Sequence, residues 1–256
     1  MNRAGKIVAV GIGPGAPHCR TPQAERAIQT ADVVVGYRTY CRQIRDLTRG
    51  RKVISSGMRQ EVERCNRAIN EALKGSSVAV ISSGDAGIYG MAGLILELME
   101  ARGIRNLPVE IVPGLTAASA AAALLGAPLA CDFAVISLSD LLVPRNVILK
   151  KLWTLAASDL VCVLYNPRSA KRRKLFASAI KIFGDQRGKH TPSGFVKNAT
   201  RSRQTIWCGP LKNLSVSAVD MSTVVMIGNR QTAILNGQMV TRRGYRMTAK
   251  KAGSFS

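Results

Sequence analysis

Three glycine-rich turns, each directly after a short and mostly apolar run, constrain the fold of this 256-residue chain more than any other feature. The turns are residues 11–15, 82–90 and 113–119. Short apolar runs bounded by glycine or proline are typical of buried strands. Glycine lets a backbone approach a ligand closely, and open α/β sheets bind ligands at the carboxyl ends of their strands. The sequence therefore predicts an α/β fold in which several strand-end loops form one binding site.

Strand and helix patterns alternate through the first half of the chain, which predicts a largely parallel sheet. Thr21-Pro22 combines a favoured N-cap residue with proline in the first turn, and it predicts the start of a helix. Residues 61–74 predict an amphipathic helix that ends before Gly75. The apolar stripe predicted for that helix consists of Val62, Cys65, Ile69 and Leu73.

The second half of the chain has a different order of elements. Strand patterns occupy residues 133–136, 160–164 and 223–227, and a helix pattern occupies residues 146–157. Asn236-Gly237 predicts a two-residue hairpin turn.

The length of the chain allows two α/β domains, and Pro113-Gly114 is the predicted junction between them. The first domain is expected over residues 1–112 and the second over residues 113–246. Residues 247–256 form a basic tail that we expect to be disordered.

The composition limits the classes of function. The N-terminus enters a strand pattern directly and no apolar run is long enough to span a bilayer, so we expect a cytoplasmic protein. Six scattered cysteines and two histidines provide no clustered ligands, so we expect no metal site. The net charge of +22 is compatible with a polyanionic ligand, with nucleic acid or with a simple compositional bias.

A dinucleotide site of the Rossmann type is the simplest interpretation of the first turn. Such a site needs an acidic residue at the end of the second strand to hold the ribose hydroxyls. The second strand pattern, residues 32–35, leads into Gly36-Tyr37-Arg38 without a carboxylate, and Asp32 lies at its other end. The sequence therefore argues against a nicotinamide cofactor.

The loop motifs resemble those of the tetrapyrrole methylases over nearly the whole chain, from Lys6 to Tyr245. The family in general is marked by residues 11–15, Gly84-Asp85 and residues 113–117. One branch is marked further by the segments 35–40, 54–58, 87–93, 132–133, 136–142, 165–169 and 244–245. Members of that branch methylate carbon 17 of a precorrin-3-level tetrapyrrole and contract its ring during cobalamin biosynthesis, and the resemblance implies this activity here.

The resemblance also implies a fold and a methyl donor. Family members have two αβα domains, and S-adenosylmethionine lies in the active-site cleft between the domains. The donor contacts implied for this chain are Pro14, Ser83, Gly84, Asp85, Ile88, Thr116, Ala117, Asn166, Ala199 and Thr223.

The substrate that the resemblance implies is a polycarboxylate tetrapyrrole, either metal-free precorrin-3B or its cobalt-containing counterpart. The implied substrate contacts are Gly11, Gly13, Gly15, Arg38, Arg168, Lys197 and Arg201. The polar residues implied for ring contraction are Asp132, Ser139, Asp140 and Tyr165. Cys131 stands where the family usually has histidine, and the class is usually homodimeric.

Two alternatives stay open at the level of the sequence. An RNA ribose 2′-O-methyltransferase has the same fold and would use the positive charge, but it would carry an acidic segment where this chain has residues 36–40. A non-enzymatic RNA-binding protein is opposed by the aromatic content of 5%, because single-stranded RNA is held by stacking on aromatic side chains. We expect no specific nucleic-acid partner.

Overall fold

The computed structural model describes residues 5–169 and 174–245, which divide into two compact units. Within the described chain, the first unit contains residues 5–120 and 198–204, and the second contains the remainder. The division falls inside a helix, and the junction proposed at Pro113-Gly114 remains a prediction. The predicted disordered tail, residues 247–256, lies outside the described residues.

The first unit is built on a five-stranded parallel sheet, as the alternating pattern predicts. Its strands are β1 (Lys6–Gly11), β2 (Val33–Tyr37), β3 (Lys52–Ser56), β4 (Ser77–Ser82) and β5 (Val109–Val112). Their order across the sheet is β3-β2-β4-β1-β5, and every neighbouring pair is parallel. The three strands that precede the glycine-rich turns, β4, β1 and β5, are therefore direct neighbours.

Helices cover both faces of this sheet. They are α1 (Pro22–Thr30), α2 (Arg38–Gln43), α3 (Glu61–Leu73) and α4 (Ala92–Ala101). One buried cluster joins α1 to strand residues such as Val8 and Val34, and another joins α3 and α4 to the alternate residues, such as Ile7 and Val33. Because successive strand residues point to opposite faces, each all-apolar strand supplies both layers of core.

The predicted helix signals are confirmed, with one correction. The Thr21 hydroxyl accepts a hydrogen bond from the Ala24 N–H at 3.1 Å and caps α1. In α3, however, the predicted stripe is wrong at its ends, because Val62 and Leu73 are 54% and 52% exposed. The buried residues of α3 are Arg64, Cys65, Ala68, Ile69 and Ala72. The buried face is turned toward the two alanines, whose short side chains let a helix lie close to a sheet.

The second unit contains a mixed sheet and a small additional sheet. Its strands are β6 (Gly126–Ala127), β7 (Phe133–Ser137), β8 (Val161–Tyr165), β9 (Pro192–Lys197), β10 (Thr205–Pro210), β11 (Thr223–Ile227), β12 (Thr232–Leu235) and β13 (Gln238–Thr241). The five-stranded sheet has the order β10-β9-β11-β8-β7, in which the pair β7–β8 is parallel and the other pairs are antiparallel. The other sheet has the order β12-β13-β6.

Three α-helices lie in the described residues of this half of the chain. They are α5 (Ala117–Leu125), which spans the division between the units, α6 (Arg145–Ala157) and α7 (Lys174–Arg187). The predicted hairpin is confirmed: Asn236 and Gly237 both have positive φ, 49° and 79°, as a type I′ turn requires. Among the described residues, no helix is both long and apolar enough to cross a membrane.

The corrected face of α3 leads to a test by stability. Replacing Ile69 with alanine should lower the free energy of unfolding by about 2–5 kcal/mol, because Ile69 is completely buried. Val62→Ala should change it by about 0.5 kcal/mol or less, since Val62 faces solvent. Urea denaturation of both variants checks this, and equal losses would mean that the face is assigned incorrectly.

Candidate active site

The three glycine-rich loops meet at the carboxyl edge of the first unit's sheet, and backbone hydrogen bonds join the first loop to the second. The Gly13 N–H donates to the Gly84 carbonyl at 3.0 Å, and the Gly84 N–H donates to the Gly13 carbonyl at 2.8 Å. The Ile12 N–H donates to the Ser82 carbonyl at 2.9 Å. The first and second loops thus extend the pairing of their strands beyond the sheet.

Glycines are required here mainly because the loops touch each other. A Cβ on Gly11 would lie 2.7 Å from both the Gly114 nitrogen and the Gly84 oxygen, and a Cβ on Gly114 would lie 2.6 Å from the Gly11 oxygen. This differs from the expectation that such glycines make room for a ligand. Gly84 is the exception, since its φ is +69° and nothing lies within 3.7 Å of its Cβ position.

The Asp85 carboxylate fixes the second loop to the third. One oxygen accepts hydrogen bonds from the N–H groups of Gly87 and Ile88 at 2.7 and 3.1 Å. The other accepts from the Gly114 N–H at 2.9 Å. Because both oxygens already bind backbone donors, Asp85 positions the loops that lie around it.

We predict that Gly114→Ala destabilises the protein by about 1–3 kcal/mol, because the added methyl group would overlap the backbone of the two neighbouring loops. Gly93→Ala is the matched control. Gly93 lies exposed in α4 with open space around its Cβ position, and alanine there should stabilise by about 0.5–1 kcal/mol. Thermal melting measures both, and a neutral Gly114→Ala would contradict the close loop contact.

A short segment from later in the chain, residues 198–204, belongs to the same unit. The Arg201 guanidinium donates to the Pro14 carbonyl and, at 3.1 Å, to the Ser83 hydroxyl. The Thr200 hydroxyl accepts a hydrogen bond from the Ala16 N–H at 3.2 Å. Thr200 has φ 62°, a strained conformation for a β-branched residue that is typical of functional loops.

The structure thus brings most predicted residues of the first unit to one edge. Gly11, Gly13 and Pro14 are buried in the first loop, and Gly15 lies against the Arg201 side chain. Ile88 is 42% exposed, Thr116 and Ala117 are half-buried where α5 begins, and Ala199 is buried. Arg38 is exposed at the end of β2 and makes no hydrogen bond or ion pair with another described residue.

In the second unit, the ends of β7 and β8 hold a smaller polar cluster. The Ser137 hydroxyl accepts hydrogen bonds from the Asn166 side-chain amide at 3.0 Å and from the Ser139 N–H at 3.2 Å. The Leu138 N–H donates to the Tyr165 carbonyl at 2.9 Å. Ser139, Tyr165 and Asn166 therefore lie together, with Asp140 next in the chain, and Asn166 has φ 51°.

Asp132 does not belong to this cluster. It lies exposed before β7, whereas Ser139 and Asp140 follow the end of that five-residue strand. The strand alone separates the two positions by about 16 Å at roughly 3.3 Å per residue. Of the four residues predicted for ring contraction, Asp132 thus lies at one end of β7 and the other three lie at the opposite end. The Cys131 thiol, next to Asp132, donates to the Arg242 carbonyl at 3.5 Å.

Two basic residues that were predicted to bind substrate instead contact other residues of the second unit. Arg168 donates to the carbonyls of Val216, Ser217 and Val219 at 3.1–3.4 Å. The Lys197 ammonium lies 2.6 Å from the Asp220 carboxylate.

The Asp220 carboxylate also accepts from the Thr223 hydroxyl at 3.1 Å. Partial burial raises the pKa of Asp220, but the hydrogen bonds from Lys197, Ser222 and Thr223 outweigh it, so its pKa is below the ordinary value.

A family model described as tetrapyrrole (corrin/porphyrin) methylases matches residues 6–215. This chain belongs to the tetrapyrrole methylase family. A relative from Salmonella typhimurium, "Probable cobalt-factor III C(17)-methyltransferase", is 45% identical over 93% of this chain and 99% of its own length. The "Cobalt-factor III methyltransferase" of Priestia megaterium is 40% identical over 94% of this chain, which spans about half (45%) of that longer protein.

Solved structures agree with the fold of this tetrapyrrole methylase. The methyltransferase CobJ has a TM-score of 0.88 and 34% identity, with 93% of this chain and 100% of CobJ covered. The cobalt precorrin-4 methyltransferase CbiF has a TM-score of 0.72 at 24% identity, a likeness of fold alone. The predicted α/β class is confirmed.

Sequence reasoning missed several residues that organise the edges of this methylase. Ser137 joins Asn166 to Ser139, and Thr200 anchors the segment 198–204. Tyr40 follows β2 at the same edge of the sheet as Ser83, which binds Arg201. An asparagine tolerates positive φ, so Asn198 and Asn166 carried a weak signal for special loops. Thr200 carried none, because a β-branched residue predicts an extended backbone.

The Lys197–Asp220 pair predicts a dependence of stability on pH. Because the folded-state pKa of Asp220 is lowered, the pair stabilises above the unfolded-state pKa and its contribution disappears as pH falls through the folded-state value. Lys197→Met should therefore cost less than about 1 kcal/mol near neutral pH, discounted for exposure, and nothing in strong acid. Denaturation across this pH range checks it, with the exposed Lys150→Met as control; a loss independent of pH would contradict the pairing.

Proposed function

We propose that this tetrapyrrole methylase transfers a methyl group from S-adenosylmethionine to carbon 17 of a precorrin-3-level tetrapyrrole, with ring contraction, in cobalamin biosynthesis. The observation that carries the proposal is 45% identity to a C(17)-methyltransferase over 99% of that relative's length. Relatives named for the same reaction, at 39–42% identity, cover 93% of the chain.

The loops of the first unit fit a donor of this chemistry. S-adenosylmethionine presents an adenine, a sulfonium and an amino-acid group, which backbone donors and acceptors on a small-residue floor can hold. Gly84, whose Cβ position has no neighbour closer than 3.7 Å, and Thr116-Ala117 at the start of α5 offer these features. The ten donor contacts named above remain proposals, and within them we assign Asp85 to positioning the loops.

Bound S-adenosylmethionine would supply an activated methyl group, so the chain needs no nucleophile of its own. The task of the residues is to hold two reactants in line, which can lower a barrier by about 7–11 kcal/mol. Loops that are fixed to each other, as at Gly13, Gly84 and Gly114, suit this task because they need not reorganise at the moment of reaction.

Ring contraction additionally needs groups that hold and release protons. Asp140 follows β7 and Tyr165 is the last residue of the neighbouring strand β8, with Ser139 at the same edge, so we assign these three to proton handling. Asp132, at the other end of β7, is the weaker candidate.

The substrate we propose is the cobalt-containing tetrapyrrole, because several relatives carry cobalt-factor III in their names. Its carboxylates would suit a chain of net charge +22. Arg38, Arg201 and Arg168, the last through its Nε and Nη2, keep N–H groups not used by other described residues, whereas Lys197 would have to exchange Asp220 for substrate. A homodimer in the cytoplasm stays part of the proposal, and RNA methylation is not proposed.

The test is an incubation of the purified protein with labelled donor and each of the two tetrapyrroles. We expect one methyl group at carbon 17 and a ring-contracted product, with the cobalt-containing substrate preferred. Mass spectrometry and carbon NMR identify the product. A methyl group on another ring carbon would assign the chain to a different branch of the family, and labelled ribose in an RNA incubation would overturn the proposal.

A further inference from the structure

Arg201 is a half-buried cation whose charge has no anionic partner in the described chain. Its Nε donates to the Pro14 carbonyl and one Nη donates to the Ser83 hydroxyl, both neutral acceptors. No carboxylate of a described residue lies at ion-pair distance from it. Three of its five N–H groups remain without an acceptor among the described residues. Partly desolvated guanidinium groups are costly unless an anion compensates them.

Tyr40 brings a second unused donor to the same edge of the sheet, because it follows β2, the neighbour of β4, and Arg201 binds Ser83 at the end of β4. Its ring packs edge-on against Tyr37, with centroids 5.1 Å apart, and joins the buried cluster under α1 and α2. Its hydroxyl makes no hydrogen bond with another described residue. Burial raises the pKa of Tyr40, and the Arg201 charge acts in the opposite direction, so the hydroxyl stays protonated at neutral pH and lies within electrostatic reach of Arg201.

The surroundings hold these donors in place. Gly15 packs against the Arg201 side chain, where any Cβ would collide, and Thr200 keeps its strained φ of 62° while its hydroxyl binds Ala16. Ser83 accepts from Arg201 and keeps its own O–H as a further donor. Several hydrogen-bond donors that are held in place and have no acceptor in the described chain are suited to bind a carboxylate.

We propose that Arg201 and Tyr40 together form a subsite for one carboxylate of a bound ligand, at the edge where the first and second loops meet. This inference rests on the proposed function, whose two reactants both carry carboxylates: the donor in its amino-acid group and the tetrapyrrole on its side chains. Pro14 and Ser83, which Arg201 contacts, are both proposed donor contacts. The chemistry is the same in either case, and the measurements below separate the two sources.

The informative variant is Tyr40→Phe, because it removes a hydroxyl that bonds no other residue of the described chain and should leave the melting temperature unchanged. Tyr37→Phe is the matched control: the centroid of the Tyr37 ring lies 6.0 Å from the Arg64 guanidinium. Arg201→Lys keeps the charge but loses the planar fork. Two quantities are measured for each variant: the calorimetric Kd of S-adenosylhomocysteine and the KM of the tetrapyrrole.

We expect Tyr40→Phe and Arg201→Lys each to raise one of these constants about tenfold or more, as the loss of a hydrogen bond to a charged group does, while Tyr37→Phe changes neither. A rise in Kd assigns the donor's carboxylate, and a rise in KM assigns the tetrapyrrole's. If Tyr40→Phe has the same Kd and the same KM as Tyr37→Phe, the subsite is refuted. The proposed function stays intact in that case as long as the wild type methylates its substrate. A wild type without turnover refutes the proposed function instead.

Discussion

The mutual contact of three strand-end loops is the constraint on which the rest of the first unit depends. Gly11, Gly84 and Gly114 lie so close that side chains at the first and third positions would overlap backbone atoms, and the Asp85 carboxylate joins the second loop to the third. Adjacent parallel strands deliver these loops to one edge, and the segment around Arg201 is fastened to two of them. The proposed donor contacts of this unit are therefore held by backbone geometry.

Local signals were sufficient to predict most of the framework. Some structures depend only on residues that are close in sequence, as do the apolar strands, the Thr21 cap and the Asn236-Gly237 turn. Such structures can be predicted from the local sequence pattern. The buried face of α3 was placed incorrectly because hydrophobicity alone favoured Val62 and Leu73. Which face packs depends on the distance between helix and sheet, and this favours Ala68 and Ala72.

The contacts made by residues at the ends of the strands were predicted less completely, because the residues that they contact are distant in sequence. The meeting of the three loops was predicted from their positions directly after strands, but the close packing of their glycines against each other was not. Lys197 was expected to meet a ligand, yet Asp220 neutralises it, and Arg168 binds carbonyls near residue 217. Asp132 lies far from Asp140 because the five-residue strand β7 runs between them. The motif 132–142 was read as one group of residues, so this distance was not predicted.

Amide hydrogen exchange, followed residue by residue by NMR, tests the joined loops most directly. The N–H groups of Gly13, Gly84 and Gly114 bind, respectively, the second loop, the first loop and Asp85. We expect all three to exchange far more slowly than in an unfolded peptide and with similar protection, because the loops open together. If any of these three N–H groups exchanged at the rate of an unstructured chain, the loops would not be joined by these hydrogen bonds, which would contradict a preformed site.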